Sequence, residues 1–241
     1  MKLRALVGLG SLVAAVLPAR RALACGVSAS GVASCSLAEH EEATRPHWAV
    51  GLSGLYTSTA LRFSNSVRAD ETRYATQASL AYLPSKKLVL QAGIGATFAG
   101  NLVIDQQRYD FSPGPLASLG ADYRFIDDGR LFVLGTSSLS FSATRTRRDS
   151  VPSAGYQALD LRLGGELGVQ LARVFRPYAL ARVFGGPVYW RYQGSAVTGT
   201  DTHHYQLGAG LALALSENFN AFVEGVPLGE RALSFGLGAA F

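Results

Sequence analysis

The side chains best suited to chemistry are Asp201, His203 and His204. An aspartate two residues from a histidine is the composition of a general acid–base pair, provided both groups reach the same reacting atom. Adjacent histidines also suggest a metal ion, but successive residues of a strand point to opposite faces, so His203 and His204 would not share one. His40 and His47 lie in the N-terminal segment with no partner at ligand spacing. No serine elbow, phosphate loop or dinucleotide fingerprint occurs, and the 27 glycines are dispersed along the chain. The expectation is no metal, no cofactor and no enzyme activity.

The two cysteines, Cys25 and Cys35, stand in a stretch rich in glycine, serine and alanine. An oxidising compartment would favour a disulfide between them. The alternative is a lipid on Cys25, with Ala22-Leu23-Ala24-Cys25 as a degenerate lipoprotein box in which Leu23 is oversized. Both readings need export. Lys2 and Arg4 precede an apolar run from Ala5 to Ala19, then Arg20, Arg21 and the small-residue site Ala22-Leu23-Ala24. This is the layout of a cleaved secretory signal. The run is shorter than the roughly 20 residues of a spanning helix. The chain is thus expected to divide into a signal over 1–24, a periplasmic segment over 25–46 and one further unit over 47–241.

The net charge of +5 does not mark a nucleic-acid surface. Four of the 22 basic residues precede Cys25, which leaves 18 against 17 acidic residues in the rest. Beyond the signal every apolar run is interrupted by Gly, Ser, Gln or a charge, which argues against spanning helices.

Strict alternation dominates from Trp48 onward, the period of a strand with two unlike faces. Leu88, Leu90, Ala92, Ile94, Ala96 and Phe98 alternate with Val89, Gln91, Gly93, Gly95, Thr97 and Ala99, and Leu159, Leu161, Leu163, Leu167 and Val169 with small or polar residues. Turn signals predict ten strands near 47–57, 72–83, 88–99, 115–125, 131–143, 156–171, 177–190, 203–215, 219–226 and 231–241. Short turns fall at Pro84–Lys87, Asp127–Gly129, Arg173–Phe175 and Ser216–Asn218, and longer polar loops near 58–71, 100–114, 144–155 and 191–202. Short turns at one end and long loops at the other are the asymmetry of a bacterial membrane barrel. A soluble β-protein would show many lysines on its polar face, yet only Lys86 and Lys87 follow the signal. The fold class is therefore all-β, a transmembrane up-and-down antiparallel barrel of about ten strands, with eight as the alternative.

Aromatics gather near both predicted rims. Trp48, Tyr82, Tyr123, Phe125, Tyr178 and Phe219 mark one, and Tyr109, Phe111, Phe141, Tyr156, Tyr189, Trp190 and Tyr205 the other, as interfacial girdles do. Residues 48–241 resemble the small monomeric outer-membrane β-barrel proteins, and the last strand, with Leu233, Phe235, Leu237 and Phe241 at alternate positions, carries the resemblance best. It implies location in the cell outer membrane, insertion by the barrel-assembly machinery reading that strand, and a monomer. The Asp201-x-His203 element is similar to one in the omptin proteases, which are ten-stranded barrels. That family's second acidic pair has no Asp-x-Asp counterpart here, because Asp70, Glu71, Asp105 and Asp110 are scattered. Alternation run back from Leu207 and Tyr205 also points Asp201 and His203 outward.

Two charge patterns remain. Asp122, Arg124, Asp160, Arg162, Glu166, Arg182 and Glu224 fall on inward positions and suggest a lumen ion-pair network. A hairpin centred on Val174 would set Glu166 directly opposite Arg182, close enough to pair. The expected outer loops carry Arg68, Arg73, Arg108, Arg145, Arg147, Arg148 and Arg191, and these, above all the run Arg145, Arg147 and Arg148, suit the phosphates of lipopolysaccharide through charge-assisted hydrogen bonds. The functional expectation is a non-enzymatic barrel with a structural or surface-interaction role in the envelope. The alternatives are a narrow solute channel or a rim-located enzyme acting on peptide or lipid.

Overall fold

A computed structural model describes the backbone of residues 24–27 and 33–36, together with residues 47–241 except 65, 129, 149–150, 172–173 and 217. Apart from Ala24, the expected export signal lies outside the described residues.

Among the described residues fifteen strands run in chain order. These are β1 Ala24–Val27, β2 Ala33–Ser36, β3 Trp48–Phe63, β4 Arg68–Tyr82, β5 Leu88–Ile104, β6 Gln107–Phe111, β7 Gly114–Asp127 and β8 Leu131–Arg148. They continue as β9 Val151–Val169, β10 Phe175–Gly185, β11 Val188–Tyr192, β12 Ser195–Asp201, β13 Tyr205–Ala214, β14 Phe219–Gly229 and β15 Arg231–Ala240. β1 and β2 form a separate ladder in which Cys25 stands opposite Cys35. Their side chains are outside the described residues.

The other thirteen strands make one antiparallel sheet that closes twice, with a different strand count at each level. In the lower part the ring runs β3-β4-β5-β7-β8-β9-β10-β13-β14-β15 and returns to β3 through pairs such as Leu237 with Leu52. That is ten strands. At the opposite end β6 replaces β7 between β5 and β8. There β11 also pairs with β9, and β12 closes directly onto β3, with Asp201 opposite Leu61 and Gly199 opposite Phe63. This upper ring has eight strands, because the long hairpin of β10–β13 reaches past the short β14–β15 hairpin. The choice between eight and ten strands therefore has both answers at different heights.

The upper strands are longer than the sequence suggests. Most of the expected loops near 58–71, 100–114, 144–155 and 191–202 are strand, joined by tight turns. Asp105 and Gln106, both with positive φ, form the two-residue link from β5 to β6, and Gln193 and Gly194 form the same kind of link from β11 to β12. Positive φ at both central positions matches the right-handed twist of the flanking strands. The lower turns are closed locally, by Ser85 Oγ, Asp128 Oδ1 and Ser216 Oγ accepting backbone N–H groups two and three residues on.

Burial is inverted relative to a water-soluble protein. Ile94, Leu52, Leu119 and Phe235 are exposed on the outer surface, while Ser234, Glu224 and Gln206 are completely buried inside. An apolar exterior with a polar interior satisfies lipid outside and the backbone ladder within the wall. Trp48, Tyr82, Tyr123, Phe125 and Phe219 lie exposed toward the lower end, with Trp48 and Tyr82 rings 4.7 Å apart.

Candidate functional site

The interior is stacked in three levels. The lowest is centred on Arg182 of β10. Its Nη1 and Nη2 donate to Glu224 Oε1 and Oε2 at 2.8 and 3.0 Å, and Nη2 also donates to Glu166 Oε1 at 2.7 Å. Tyr178 Oη donates to Glu224 Oε2 at 3.2 Å. All three charged side chains are essentially dry. The pairing is diagonal rather than direct. Leu180 stands opposite Glu166 and Gly164 opposite Arg182, a register two residues from that expected for a hairpin centred on Val174. A two-residue shift preserves the face, and diagonal neighbours remain within reach of long side chains. Asp122 is buried on the same level, and neither of its carboxylate oxygens has a hydrogen-bond partner among the described residues. At the foot of this level Arg124 pairs with Asp127, and Arg176 Nη2 donates to Gln170 Oε1 at 2.9 Å.

The middle level is a cavity of about 80 Å³ ringed by Glu71, Arg73, Asp160, Arg162, Asp201 and Glu230. Arg162 donates through Nε to Asp160 and contacts Glu230 Oε2 through Nη2 at 2.9 Å, while its guanidinium lies 5.2 Å from the Phe184 ring centre. Gln206 Nε2 donates to the same Glu230 oxygen at 2.8 Å. Across the lumen Arg73 pairs with Glu71 and donates to Ser142 Oγ at 2.9 Å. Tyr156 Oη donates to Glu71 Oε2 at 2.5 Å.

Sequence reasoning missed Glu71, Arg73, Tyr156, Gln206 and Glu230 as lumen residues. Glu71 falls in the loop expected over 58–71, and the turn signals start the following strand only at residue 72. Asp201 corrects a second expectation. It faces inward and accepts from Thr59 Oγ1 at 2.8 Å. The strand breaks over Thr202–His204, so parity read backward from Tyr205 does not carry through. His203 is exposed beside Tyr205, with 6.2 Å between ring centres. The aspartate and histidine therefore do not converge on one substrate.

The top level is apolar. Leu61, Phe63, Leu102, Ile104, Tyr109, Phe111, Tyr156, Val188, Trp190 and Val197 form one buried cluster inside the eight-stranded ring. Phe63 and Trp190 rings lie 5.6 Å apart, Tyr109 and Trp190 5.3 Å, and Phe111 and Tyr156 5.0 Å. Trp190 Nε1 donates to Thr146 Oγ1 at 3.0 Å, satisfying its buried polar atom. Four aromatics expected in the upper girdle, Tyr109, Phe111, Tyr156 and Trp190, thus turn inward and cap the lumen. Tyr178, expected in the lower girdle, also points inward. The upper belt instead includes Tyr74, Phe98, Phe141, Tyr189 and Tyr205. The reason is narrowing. Eight strands enclose a bore that side chains can fill, and large rings fill it with fewest gaps.

The arginine run divides in the same way. Arg145 and Arg147 are exposed on the outer face of β8, and Arg147 stands opposite Asp110. Arg148 turns inward, where its guanidinium donates to Gln107 and Tyr109 Oη and lies 5.5 Å from the Tyr109 ring centre. It belongs to the cap and not to the expected lipid-facing set. Among the described residues no group of three or more His, Cys, Asp or Glu is placed to hold a metal ion.

No family model matches the chain, and no curated protein matches it in sequence. Solved structures do match in fold. The translocator domain of the autotransporter NalP from Neisseria meningitidis is 13% identical, with a TM-score of 0.52, over 83% of this chain and 90% of that one. The outer membrane protease OmpT from Escherichia coli is 11% identical, with a TM-score of 0.53, over 82% and 98%. At such identities the likeness is one of fold. The chain has the fold of the bacterial outer-membrane β-barrels. Its apolar exterior, aromatic belts and closed wall place it in that membrane.

Proposed function

We propose that this chain is a sealed, non-enzymatic outer-membrane barrel whose role is structural or lies in what its outer rim contacts. The observation that carries the reading is the apolar cap. A water-filled path needs continuous polar lining, whereas here Trp190, Tyr109, Phe63 and Tyr156 close the upper bore and a dry ion-pair level crosses the lower one. Beneath the cap the acidic and basic groups of the cavity are shut away from large substrates. In this reading the partners are outer-membrane lipid, including lipopolysaccharide, and the barrel-assembly machinery during insertion. Residues 1–24 are the export signal, and the inserted protein is a monomer.

The test is electrical and physiological. Purified protein in planar bilayers is expected to show no steady conductance, and cells lacking it to become more permeable to bulky toxic solutes. Steady ohmic conductance at low voltage would overturn the sealed-barrel reading in favour of the channel.

A further inference from the structure

On the outer face of β3 and β4, Arg62 and Arg68 stand directly opposite each other. Both are exposed, and among the described residues no ion pair joins either to a carboxylate, although exposed Asp70 lies two positions along β4. Like charges directly opposed on a sheet are destabilising. By contrast, the acidic and basic residues of β6 are matched, with Arg108 on Asp110 at 2.6 Å and Asp110 opposite Arg147.

The surroundings set the height of this pair. Toward the membrane on the same face lie Ala60 and Asp70, then Ser58 and Thr72, then Tyr56 and Tyr74, whose tilted rings have centres 5.1 Å apart. Exposed Arg231 of β15 stands opposite Ser58, just above those rings. Arg62 is six residue steps beyond Tyr56, about 20 Å along an extended strand. At the usual strand tilt that is about 15 Å along the barrel axis. A phospholipid phosphate sits close to the aromatic belt, so it would meet Arg231 but fall short of the paired arginines. An anion at their height must belong to a headgroup that stands well out from the acyl chains.

We propose that Arg62 and Arg68 form a seat for a phosphate carried on the saccharide of an outer-leaflet glycolipid, with Arg231 below them meeting an anion nearer the acyl chains. Two planar guanidinium groups facing one dianion convert the repulsion into charge-assisted hydrogen bonds. The assignment moves the main lipid-phosphate contact away from the β8 arginines, where Arg147 stands opposite Asp110 rather than opposite a second cation and Arg148 donates to Gln107 and Tyr109. It rests on the membrane orientation of the barrel and not on whether the lumen conducts.

The test uses full-length barrel in detergent, titrated with lipopolysaccharide bearing a phosphorylated core, with the same glycolipid after core dephosphorylation, with phosphatidylglycerol and with inorganic phosphate. Binding is read by native mass spectrometry and by unfolding temperature. The phosphorylated glycolipid should bind the wild type best, and Arg62→Gln/Arg68→Gln should weaken it by about ten-fold. Arg145→Gln/Arg147→Gln should change it little. With no lipid present, Arg62→Gln alone should raise the unfolding temperature, and with the phosphorylated glycolipid it should lower it relative to wild type. That reversal of sign would not arise from a general folding defect. Equal binding by wild type and the Arg62/Arg68 variant, an equal or larger loss from the β8 pair, indifference to core dephosphorylation, or saturation by inorganic phosphate would each overturn the proposal. Heat-modifiable migration of every variant on gels checks separately that the barrel itself has formed.

Discussion

Arg182 lies across the bare backbone of Gly164. A Cβ placed on Gly164 would stand 2.4 Å from Arg182 Cγ, so the arginine stem occupies the space that any other residue would fill. Glycine there lets the guanidinium reach Glu166 on the diagonal and Glu224 beyond it. Gly210 serves Tyr178 in the same way, with the phenol ring 2.3 Å from where its Cβ would be.

Glu166→Gln and Arg182→Met should each lower the unfolding temperature. Breaking a dry ion pair from one side costs about 3 to 5 kcal/mol because the partner stays buried and unpaired. The double change should recover part of that loss. Strictly additive losses in the double-mutant cycle would show the two residues to be uncoupled. Gly164→Val should mimic Arg182→Met, since it displaces the stem, and a stability equal to wild type would contradict the packing argument.

The cap makes a prediction that joins stability to permeability. Trp190→Ala removes a fully packed side chain and leaves Thr146 Oγ1 without its donor, at a cost of about 3 to 5 kcal/mol. Combined with Tyr156→Ala it should also open the upper bore, so that discrete conductance steps appear where the wild type is silent. A double variant as silent as the wild type would mean that the lower ion-pair level seals the lumen by itself.

The terminal strand should matter for insertion. Phe241 N and Trp48 N exchange hydrogen bonds with each other's carbonyl at 2.9 and 3.2 Å, closing the ring, while Leu233, Phe235 and Leu237 project outward. Deleting Phe241 should reduce the outer-membrane yield of folded barrel, measured by fractionation and heat-modifiable migration. Undiminished yield would remove the terminal aromatic from the assembly signal.

Cys25 and Cys35 face each other in the β1–β2 ladder. Mature protein should begin at Cys25 and weigh two hydrogens less than the dithiol form, as intact mass spectrometry would read. A mass increased by a diacylglycerol and an acyl chain would assign Cys25 to lipidation instead.

The two-faced strand is legible from local residue order alone. Alternation depends only on residues i and i+2, so Leu52, Leu161 and Leu237 are legible as lipid-facing, and Glu166, Arg182 and Glu224 as sharing the opposite face, without knowledge of any partner strand. Tertiary structure decided everything that depends on which strands meet. The exchange of β7 for β6 and the closure of β12 onto β3 are pairings between segments far apart in the chain. They convert ten strands into eight and turn Tyr109, Phe111, Tyr156 and Trp190 from expected girdle into cap. The break at Thr202–His204 resets the parity of Asp201, and a two-residue shift in one hairpin makes the Glu166–Arg182 contact diagonal. A local period fixes a side chain's face, but bore, height and neighbour are set by the closure of the whole ring.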